Sequence, residues 1–585
     1  YRVDQHRMLF HLGGGKRWKK DRYQDPKERL KIRDDGMALR AALTFNPDRA
    51  AIYLEQGLWN NDTLSGWLTK YAAETPDTSA IITSTERGSY EQLKNKVDCL
   101  TCGLMGLGLG KGDIVAVQLP NIQEFLIAYL AIGSFGGVMQ TIHMPYAQAD
   151  IEFLLEHAKA RAVICLPAFK KIPTVQIMLE CKQKFAALEH VVVLGPETVT
   201  GAIEFSSLMA ENTPVIGNPP VGADPYLLLY TSGTTSNPKA VPLTYQNMMS
   251  NSRLSVDKFQ VTNDDRILSV APFSHLYGLH NYHIALCAGA AAVLLPAFAP
   301  TEMAQLVETA RPTAIFLGPA HAVALQNAGI LDNHDFSSVR FSVFSGAYCP
   351  PDLLRTYHSS TGSIVCQLWG MTETSPLAAV CNIKSTLDHL DDDAKADLRT
   401  SVGLITPAVD FRIADSDTGA EVPWDGESRG ELQVRGPWVA STYYNDDRSS
   451  ESFTDDGWLR TGDVATADAE GYIRLVDRTK DLIKSGGEWI SSVELENEIM
   501  AHPDVAEAAV IGVASTRWGE RAMACVVTAE GASLSADDIL DWLDGRVVKW
   551  WLPDRVEFID EVPKTSVGKF SKKTLRERFG DVLVD

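Results

Sequence analysis

The sequence predicts an α/β protein with at least two domains. The chain has 585 residues, which is more than a single small hydrophobic core usually organises. Helical and strand patterns alternate from about residue 60 onward, as they do in α/β folds. The last hundred or so residues have a separate pattern of their own, which favours a second, smaller domain.

The first strong patterns are a helix, a strand and another helix. Within residues 90–107, apolar side chains recur at helical spacing at Leu93, Val97, Leu100 and Leu104, so this segment is predicted to be an amphipathic helix. Residues 114–119 form a mostly apolar run typical of a buried strand, and residues 123–132 are predicted to be helical. Further short apolar runs predict strands at 162–165, 190–194, 314–317 and 341–344.

The C-terminal pattern is sufficient for a small α+β domain. Helices are predicted at 493–500 and 536–543, and strands at 508–513 and 523–528. The charged stretch 477–481 separates this region from the apolar strands before it, so we expect the domain junction there.

Composition excludes some classes of protein and favours a cellular location. The formal net charge of −21 argues against a general nucleic-acid binder, because phosphate backbones require a positive surface. Residues 1–56 are predicted to be a partly flexible N-terminal extension. Its first part, residues 1–36, is rich in basic residues. The nine cysteines are scattered, and the lone pair Cys99 and Cys102 fits a hydrophobic core better than a metal site. With no apolar run long enough to span a membrane, we expect a cytoplasmic protein.

A loop rich in hydroxyl groups suggests phosphate binding. Residues 227–230 are predicted to be a strand, and a helix is predicted to begin near Thr244. Between them, the segment Thr231-Ser232-Gly233-Thr234-Thr235-Ser236-Asn237-Pro238-Lys239 supplies hydroxyl donors, small residues that let backbone N–H groups approach an anion, and one cation. A Ser/Thr-rich surface turn would have the same composition, and the G-x-x-x-x-G-K-[ST] pattern is not present.

This loop resembles the phosphate loop of the adenylate-forming superfamily. The family pattern is Y-T-S-G-T-T-G-x-P-K-G, from which the chain departs at Ser236 and Ala240. The resemblance implies a large N-terminal domain of α/β sheets with a β-barrel-like subdomain, and a small mobile C-terminal domain. It also implies that the ATP phosphates contact Thr231, Ser232, Gly233, Thr234, Thr235 and Lys239.

Further family motifs follow in the expected order. Residues 270–279 resemble the segment beside the acyl pocket, with His275 as its candidate catalytic residue, and Gly346 and Ala347 resemble the adenine-edge segment. Residues 367–373 resemble the Y-G-M-T-E motif. There the resemblance implies nucleotide contacts from Trp369, Gly370 and Met371, a phosphate contact from Thr372, and Mg²⁺ ligation by Glu373.

The remaining motifs concern the ribose, the catalytic lysine and coenzyme A. The resemblance implies ribose contacts from Asp463 and Arg478, a hinge at Lys480, and a catalytic role for Lys569 as charge builds during adenylation. The domains are then predicted at 57–479 and 480–585. A segment similar to that of acyl-CoA ligases implies CoA contacts from Lys484, Ser485, Gly486, Gly487 and Trp489.

We therefore expect an ATP-dependent, AMP-forming carboxylate–CoA ligase. A carboxylic acid, ATP and CoA are its expected partners, Mg²⁺ its expected metal, and a homodimer is left open. The predicted pocket segments 273–283, 318–323, 345–350 and 369–376 are rich in aromatic residues and contain no Asp, Lys or Arg, which favours a medium-chain, cyclic or aryl acid. The alternatives are an enzyme that loads a carrier-protein thiol, a luciferase-like oxidase, and a non-catalytic nucleotide- or acyl-binding protein.

Overall fold

The computed structural model describes most of the chain beyond residue 45. The described residues are 39, 43, 45–196, 198–210, 212–231, 238–347, 349–415, 418–486, 488–564 and 570–584. Within them, the structure has no helix of sufficient length and hydrophobicity to cross a lipid bilayer.

The first half of the chain alternates helices and strands. Its elements are α1 (Pro47–Glu55), α2 (Leu64–Glu74), β1 (Ser79–Ile82), β2 (Arg87–Ser89), α3 (Tyr90–Gly106), β3 (Ile114–Gln118), α4 (Gln123–Ser134), β4 (Val138–Thr141), α5 (Gln148–Ala158), β5 (Ala162–Cys165), α6 (Thr174–Lys184), β6 (His190–Val193), β7 (Ile203–Glu204), β8 (Pro225–Thr231), β9 (Lys239–Thr244) and α7 (Tyr245–Phe259). Helix α1 lies within the predicted extension and contacts a later segment, since Arg49 of this helix pairs with Asp410 at 2.9 Å.

The second half of the large part completes two further sheets. Its elements are β10 (Arg266–Ser269), α8 (Leu276–Ala288), β11 (Ala291–Leu294), α9 (Pro300–Ala310), β12 (Ala314–Leu317), α10 (Pro319–Asn327), α11 (Ile330–Asn333), β13 (Phe341–Phe344), α12 (Pro351–Thr361), β14 (Ile364–Gly370), β15 (Leu377–Val380), α13 (Asp392–Leu398), β16 (Leu404–Ile405), β17 (Asp410–Ala414), β18 (Gly430–Arg435), α14 (Ser449–Ser452), β19 (Leu459–Ala467) and β20 (Ile473–Arg478).

The C-terminal part is a smaller α+β unit. Its elements are β21 (Ile483–Ser485), β22 (Glu488–Ile490), α15 (Ser492–Met500), β23 (Val505–Ser515), β24 (Gly519–Thr528), α16 (Ala536–Leu543), β25 (Arg555–Phe558), α17 (Lys572–Phe579) and β26 (Leu583–Val584). It has its own hydrophobic core, which includes Ile483, Leu495, Val510 and Ile539.

Four sheets organise these elements. A seven-stranded sheet has the order β7-β6-β5-β3-β4-β8-β9 and is parallel except for its edge pair β8–β9. A nine-stranded sheet has the order β16-β15-β14-β13-β12-β10-β11-β1-β2, with parallel pairing from β14 to β1. Strands β17–β20 form a four-stranded antiparallel sheet where a β-barrel-like subdomain was expected, and β21–β26 form the C-terminal sheet. The predicted α/β class, with a large N-terminal and a small C-terminal part, is confirmed.

Strongly periodic segments match their predicted elements closely. The helix predicted at 90–107 is α3, and its Ser89 cap is reinforced by Gln92 in a capping box. The strands at 162–165, 314–317 and 341–344 have the predicted bounds. Strand β9 was not predicted, and the reason is visible in its sequence. It is an edge strand that contains Pro242, a residue that removes a ladder donor and is tolerated only at sheet edges or bulges.

A stack of tyrosines holds β8 in place under the predicted phosphate loop. Tyr226 on β8 lies between Tyr129 of α4 and Tyr245 of α7, with ring centres 4.8 and 4.5 Å apart and planes nearly parallel. All three side chains are fully buried. The strand that leads into the loop is therefore anchored from both sides by aromatic packing.

Candidate active site

Most of the predicted site residues follow the carboxyl ends of parallel strands. His275 follows β10, Gly346 follows β13, and Trp369 is the second-last residue of β14 in the nine-stranded sheet, while Thr231 ends β8 in the other sheet. Because parallel strands present their carboxyl ends at one edge of a sheet, residues far apart in sequence meet at that edge. This topology explains why the motifs are spread over the chain.

The ends of the predicted phosphate loop are adjacent. Thr231 and Lys239 are cross-strand partners in the β8–β9 pair, and the Thr231 hydroxyl lies 3.5 Å from the Lys239 carbonyl oxygen. The Lys239 ammonium donates to the Ser452 hydroxyl at 3.0 Å and lies 4.5 Å from the centre of the Tyr443 ring. The loop residues Ser232, Gly233, Thr234 and Thr235 lie outside the described residues.

The predicted metal ligand lies in a buried turn directly after β14. Glu373 is 3% exposed, and its Oε1 accepts a hydrogen bond from the Tyr443 hydroxyl at 2.8 Å. Burial raises the pKa of the Glu373 carboxyl. Thr372, beside it, is also buried. The turn requires glycine at 370, because a Cβ there would lie 1.7 Å from the Pro376 carbonyl oxygen.

The residue types at Glu373 fit a magnesium site of the expected kind. Mg²⁺ commonly takes one or two carboxylates and fills its remaining positions with phosphate oxygens and water. Glu373 supplies a buried carboxylate with one oxygen engaged by a neutral hydroxyl. Within the part of the chain that the structure describes, there is no cluster of three or more His, Cys, Asp or Glu side chains that could hold a metal ion.

The two predicted ribose residues are bound to each other. Asp463 on β19 and Arg478 on β20 are cross-strand partners, and Arg478 Nε lies 2.6 Å from Asp463 Oδ1. The second oxygen, Oδ2, accepts from the Trp369 indole N–H at 2.8 Å. Asp463 is 4% exposed, so these two partners hold its carboxylate in a fixed orientation. Each carboxylate oxygen keeps a further lone pair for another donor.

His275 and the predicted adenine-edge residues belong to the same sheet edge but make different contacts. The His275 imidazole caps helix α8 by accepting from the Tyr277 N–H at 3.2 Å. Tyr277 in turn donates its hydroxyl to the Val343 carbonyl at 3.1 Å, which joins α8 to β13. Gly346 and Ala347 follow β13 and are exposed, and Gly346 adopts a positive φ of 94°.

Tertiary packing reveals positions that the motif search missed. Asn121 holds the His275 segment, because its amide accepts from the Phe273 N–H at 2.7 Å and donates to the Ala271 carbonyl at 2.9 Å. His143 Nδ1 lies 2.9 Å from the Ser274 hydroxyl oxygen, and burial lowers the pKa of His143 to about 4. Neither residue has a sequence signal of its own, because each is recognised only through a contact with a distant segment.

The predicted coenzyme A segment forms the hairpin β21–β22. Lys484 and Trp489 are cross-strand partners, and the Lys484 ammonium lies 5.1 Å from the centre of the Trp489 ring. The Ser485 hydroxyl accepts from Arg521 at 3.1 Å. Gly486 has a positive φ of 60°, and a Cβ there would lie 2.9 Å from the Trp518 ring. Gly487 and the predicted catalytic lysine, Lys569, lie outside the described residues.

Buried polar contacts cross the predicted junction at Lys480. Asp477, at the end of β20, accepts from the Ser492 backbone N–H at 2.7 Å and from its hydroxyl at 2.5 Å, so it caps helix α15 from the preceding strand. The Lys572 ammonium donates to the Ser492 hydroxyl at 2.6 Å and lies 2.8 Å from Glu496 Oε1. Burial raises the pKa of Glu496 to about 7. The segment that follows the predicted lysine loop is thereby tied to the junction.

Comparison with known proteins places the chain in a family. The model of the AMP-binding enzyme family matches residues 68–444, and that of the AMP-binding enzyme C-terminal domain matches residues 494–569. The chain belongs to the AMP-binding enzymes. This membership confirms the family that the sequence motifs suggested.

Several characterised relatives are acid–CoA ligases. The chain is 34% identical to a long-chain-fatty-acid–CoA ligase of Thermus thermophilus, over 84% of this chain and 90% of the relative. It is 31% identical to a medium-chain-fatty-acid–CoA ligase of Ectopseudomonas oleovorans, over 90% of this chain and 98% of the relative. It is 32% identical to an indoleacetate–CoA ligase of Aromatoleum aromaticum, over 88% of this chain and 98% of the relative.

A solved structure supports the same conclusion. ATP-bound MatB from Rhodopseudomonas palustris aligns with a TM-score of 0.79 and 30% identity, over 89% of this chain and 99% of that one. The predicted activity, ATP-dependent and AMP-forming ligation of a carboxylic acid to CoA, is confirmed at this level, with ATP and CoA as substrates. It is favoured over carrier-protein loading and over a non-catalytic binding role.

The Trp369 hydrogen bond yields a direct test of the Asp463 arrangement. In Trp369→Phe the aromatic ring remains but the indole N–H donor to Asp463 is lost. Hydrogen bonds to charged groups contribute about 1.5–3 kcal/mol, so we expect the KM for ATP to rise about tenfold in acid-dependent ATP–pyrophosphate exchange. Trp424→Phe, on a half-exposed ring stacked on Phe411, is the control and should match the wild type. An unchanged KM in Trp369→Phe would show that this bond does not prepare Asp463 for ATP.

The contacts across the junction predict how exposed it is to protease. Ser492→Ala removes the hydroxyl that joins Asp477 to Lys572, and one hydrogen bond contributes about 1 kcal/mol. We expect trypsin to cleave after Arg478 or Lys480 about fivefold faster in this variant, measured as the rate of fragment appearance. Ser535→Ala removes a serine hydroxyl that caps helix α16, away from the junction, and should leave that cleavage rate unchanged. Equal rates in the two variants would contradict a holding role for Ser492.

Proposed function

We propose that the chain joins an apolar medium-chain, cyclic or aryl carboxylic acid to coenzyme A in two steps. The acid and ATP give acyl-AMP and pyrophosphate, and the acyl group then passes to the CoA thiol with release of AMP. The observation that carries this proposal is the buried arrangement at the end of β14, where Trp369 and Arg478 hold Asp463 and the turn that follows Trp369 contains Glu373.

In the first step, the chain holds the nucleotide at both ends. Asp463 accepts from the ribose hydroxyls through its remaining lone pairs, and Arg478 holds that carboxylate in place. Lys239 and the residues 231–235 bind the phosphates, with Thr372 as a further donor. Glu373 would hold Mg²⁺, which when bound neutralises phosphate charge in the transition state. Trp369, Gly370, Met371, Gly346 and Ala347 line the nucleotide base and sugar, and His275 lies on the acid side.

Lys569 is assigned to the charge that builds at the reacting carboxylate and α-phosphate. The ammonium of a lysine suits a point-charge role of this kind. We propose that residues 480–585 then rotate about Lys480, with 57–479 as the body against which they move. The contacts of Asp477 and Lys572 join β20 to the two helices α15 and α17, so the Asp477 contacts would have to break in this rotation.

In the second step, hairpin β21–β22 is the proposed face for CoA. Gly486 and Gly487 allow close backbone approach to the pantetheine arm, and Ser485 is fixed by Arg521. Lys484 is exposed and lies against the half-buried Trp489, so it can meet a phosphate of CoA while its stem packs on the indole.

The acid class is supported by the character of the pocket segments. Tyr277 and Tyr282 on α8 are buried, and the described residues of the four pocket segments include no Asp, Lys or Arg to pair the charged groups of an amino acid. The fatty-acid and indoleacetate ligases among the relatives act on acids of this apolar kind. Residence in the cytoplasm and a homodimeric assembly stay predictions.

An AMP-release assay tests the proposed function. The purified chain is incubated with ATP, Mg²⁺ and CoA and with a panel of short, medium-chain, cyclic and aromatic acids. We expect acid- and CoA-dependent AMP with a preference for the apolar acids. A preference for acetate or for free amino acids would contradict the acid class. Acid-dependent pyrophosphate exchange without consumption of CoA would instead indicate a carrier-protein thiol as acceptor.

Lys569→Ala should separate the two half-reactions. We expect adenylation, measured as ATP–pyrophosphate exchange, to fall by about a hundredfold or more, because a charge aimed at the transition state is lost. Thioester formation from supplied acyl-AMP should stay near the wild-type rate. Lys573→Ala is the control, since Lys573 is exposed and pairs only loosely with Glu577 at 3.8 Å. An equal loss in both half-reactions would refute the assignment of the two steps to different faces.

A further inference from the structure

Tyr443 lies between two groups that the sequence assigns to ATP. Its hydroxyl donates to Glu373 Oε1 at 2.8 Å, and its ring carries the Lys239 ammonium 4.5 Å from its centre. These three residues come from the segment before α14, the turn after β14 and strand β9. One buried side chain, 5% exposed, thus touches both the predicted metal ligand and the predicted phosphate-binding lysine.

The backbone around Tyr443 is fixed on both sides. The Tyr444 N–H donates to the Ala240 carbonyl at 2.8 Å, which brings this segment alongside β9 next to Lys239. The Ala440 N–H donates to the Glu373 carbonyl at 2.7 Å, and the Tyr443 N–H donates to the Ser449 hydroxyl at 3.0 Å. Tyr443 therefore has little freedom to leave its two partners.

The two contacts leave the charges of Lys239 and Glu373 available to a ligand. Lys239 has the ring of Tyr443 and the hydroxyl of Ser452 as partners, both of them neutral. Glu373 has a neutral hydroxyl on one oxygen. The Tyr443 hydroxyl is the donor in this contact, because an ionised carboxylate can only accept. Neutral partners orient charged groups without cancelling them, which is what a site for a charged substrate needs.

We propose that Tyr443 is a positioning residue for adenylation, which holds Glu373 through its hydroxyl and Lys239 through its ring. The hydroxyl fixes one oxygen of Glu373 and leaves the other as the metal ligand. The ring holds the ammonium at the end of the phosphate loop. This inference rests on the proposed function and adds to it a residue that links the metal ligand to the phosphate-binding cation.

Two substitutions separate the two contacts. Tyr443→Phe keeps the ring and removes the hydroxyl, so we expect the Mg²⁺ concentration for half-maximal ATP–pyrophosphate exchange to rise about tenfold, with the KM for the acid unchanged. Tyr443→Leu also removes the ring, so it should in addition weaken the binding of an ATP analogue in the absence of metal by about threefold or more. Tyr443→Phe should leave that metal-free binding unchanged.

A binding measurement gives a readout that does not depend on turnover. Mn²⁺ binding to the enzyme with a non-hydrolysable ATP analogue, followed by electron paramagnetic resonance, should be weakened about tenfold in Tyr443→Phe. Tyr444→Phe is the matched control, because Tyr444 is adjacent and equally buried and its ring packs on His157 instead. It should bind Mn²⁺ as the wild type does.

The outcomes decide the proposal without relying on the activity. Wild-type Mn²⁺ binding and Mg²⁺ dependence in Tyr443→Phe would overturn it. An equal loss in Tyr444→Phe would also overturn it, because the effect would then be one of general packing. If the wild type shows no acid-dependent exchange with any acid, the proposed function fails, and the Mn²⁺ comparison still decides the role of Tyr443.

Discussion

The buried carboxylate of Asp463 is the constraint on which the site depends. Removing an ionised carboxylate from water is costly unless charged and hydrogen-bonding partners replace the lost hydration. Arg478 and Trp369 supply those partners, each to a different oxygen. Because Trp369 lies on β14 of the nine-stranded sheet while Asp463 and Arg478 lie on β19 and β20, this interaction also joins the antiparallel sheet to the nine-stranded one.

Glu373 is also a buried carboxyl, but its hydrogen-bond partner is neutral. It is as buried as Asp463, but its hydrogen-bond partner is the neutral hydroxyl of Tyr443, and burial raises its pKa. Asp463 therefore has a charged partner within the protein, whereas the raised pKa of Glu373 shows that its charge is poorly compensated there and would be stabilised by a cation that arrives with the substrate. This difference agrees with the roles proposed for them, since Asp463 accepts from neutral hydroxyls and Glu373 meets a metal.

Strand β20 connects the nucleotide site to the C-terminal part. Neighbouring residues of a strand point to opposite faces, so Arg478 reaches Asp463 while Asp477 reaches Ser492 at the start of α15. Through Ser492, the contact continues to Lys572 on α17. The rotation proposed for the C-terminal part would have to break the Asp477 contacts, which lie beside the residue that holds Asp463.

Local pattern in the sequence determined the class of fold and the composition of the site. The helical spacing of Leu93, Val97 and Leu100 predicted α3, and the order of the motifs along the chain identified Trp369, Asp463 and Arg478 as site residues. Only the tertiary structure decided that these three side chains join, that β9 forms the sheet edge, and that Tyr443 and Ser492 bridge separate segments. Periodicity and motif spacing are short-range properties of the chain, whereas a buried hydrogen bond between distant residues is decided by packing, which no local pattern records.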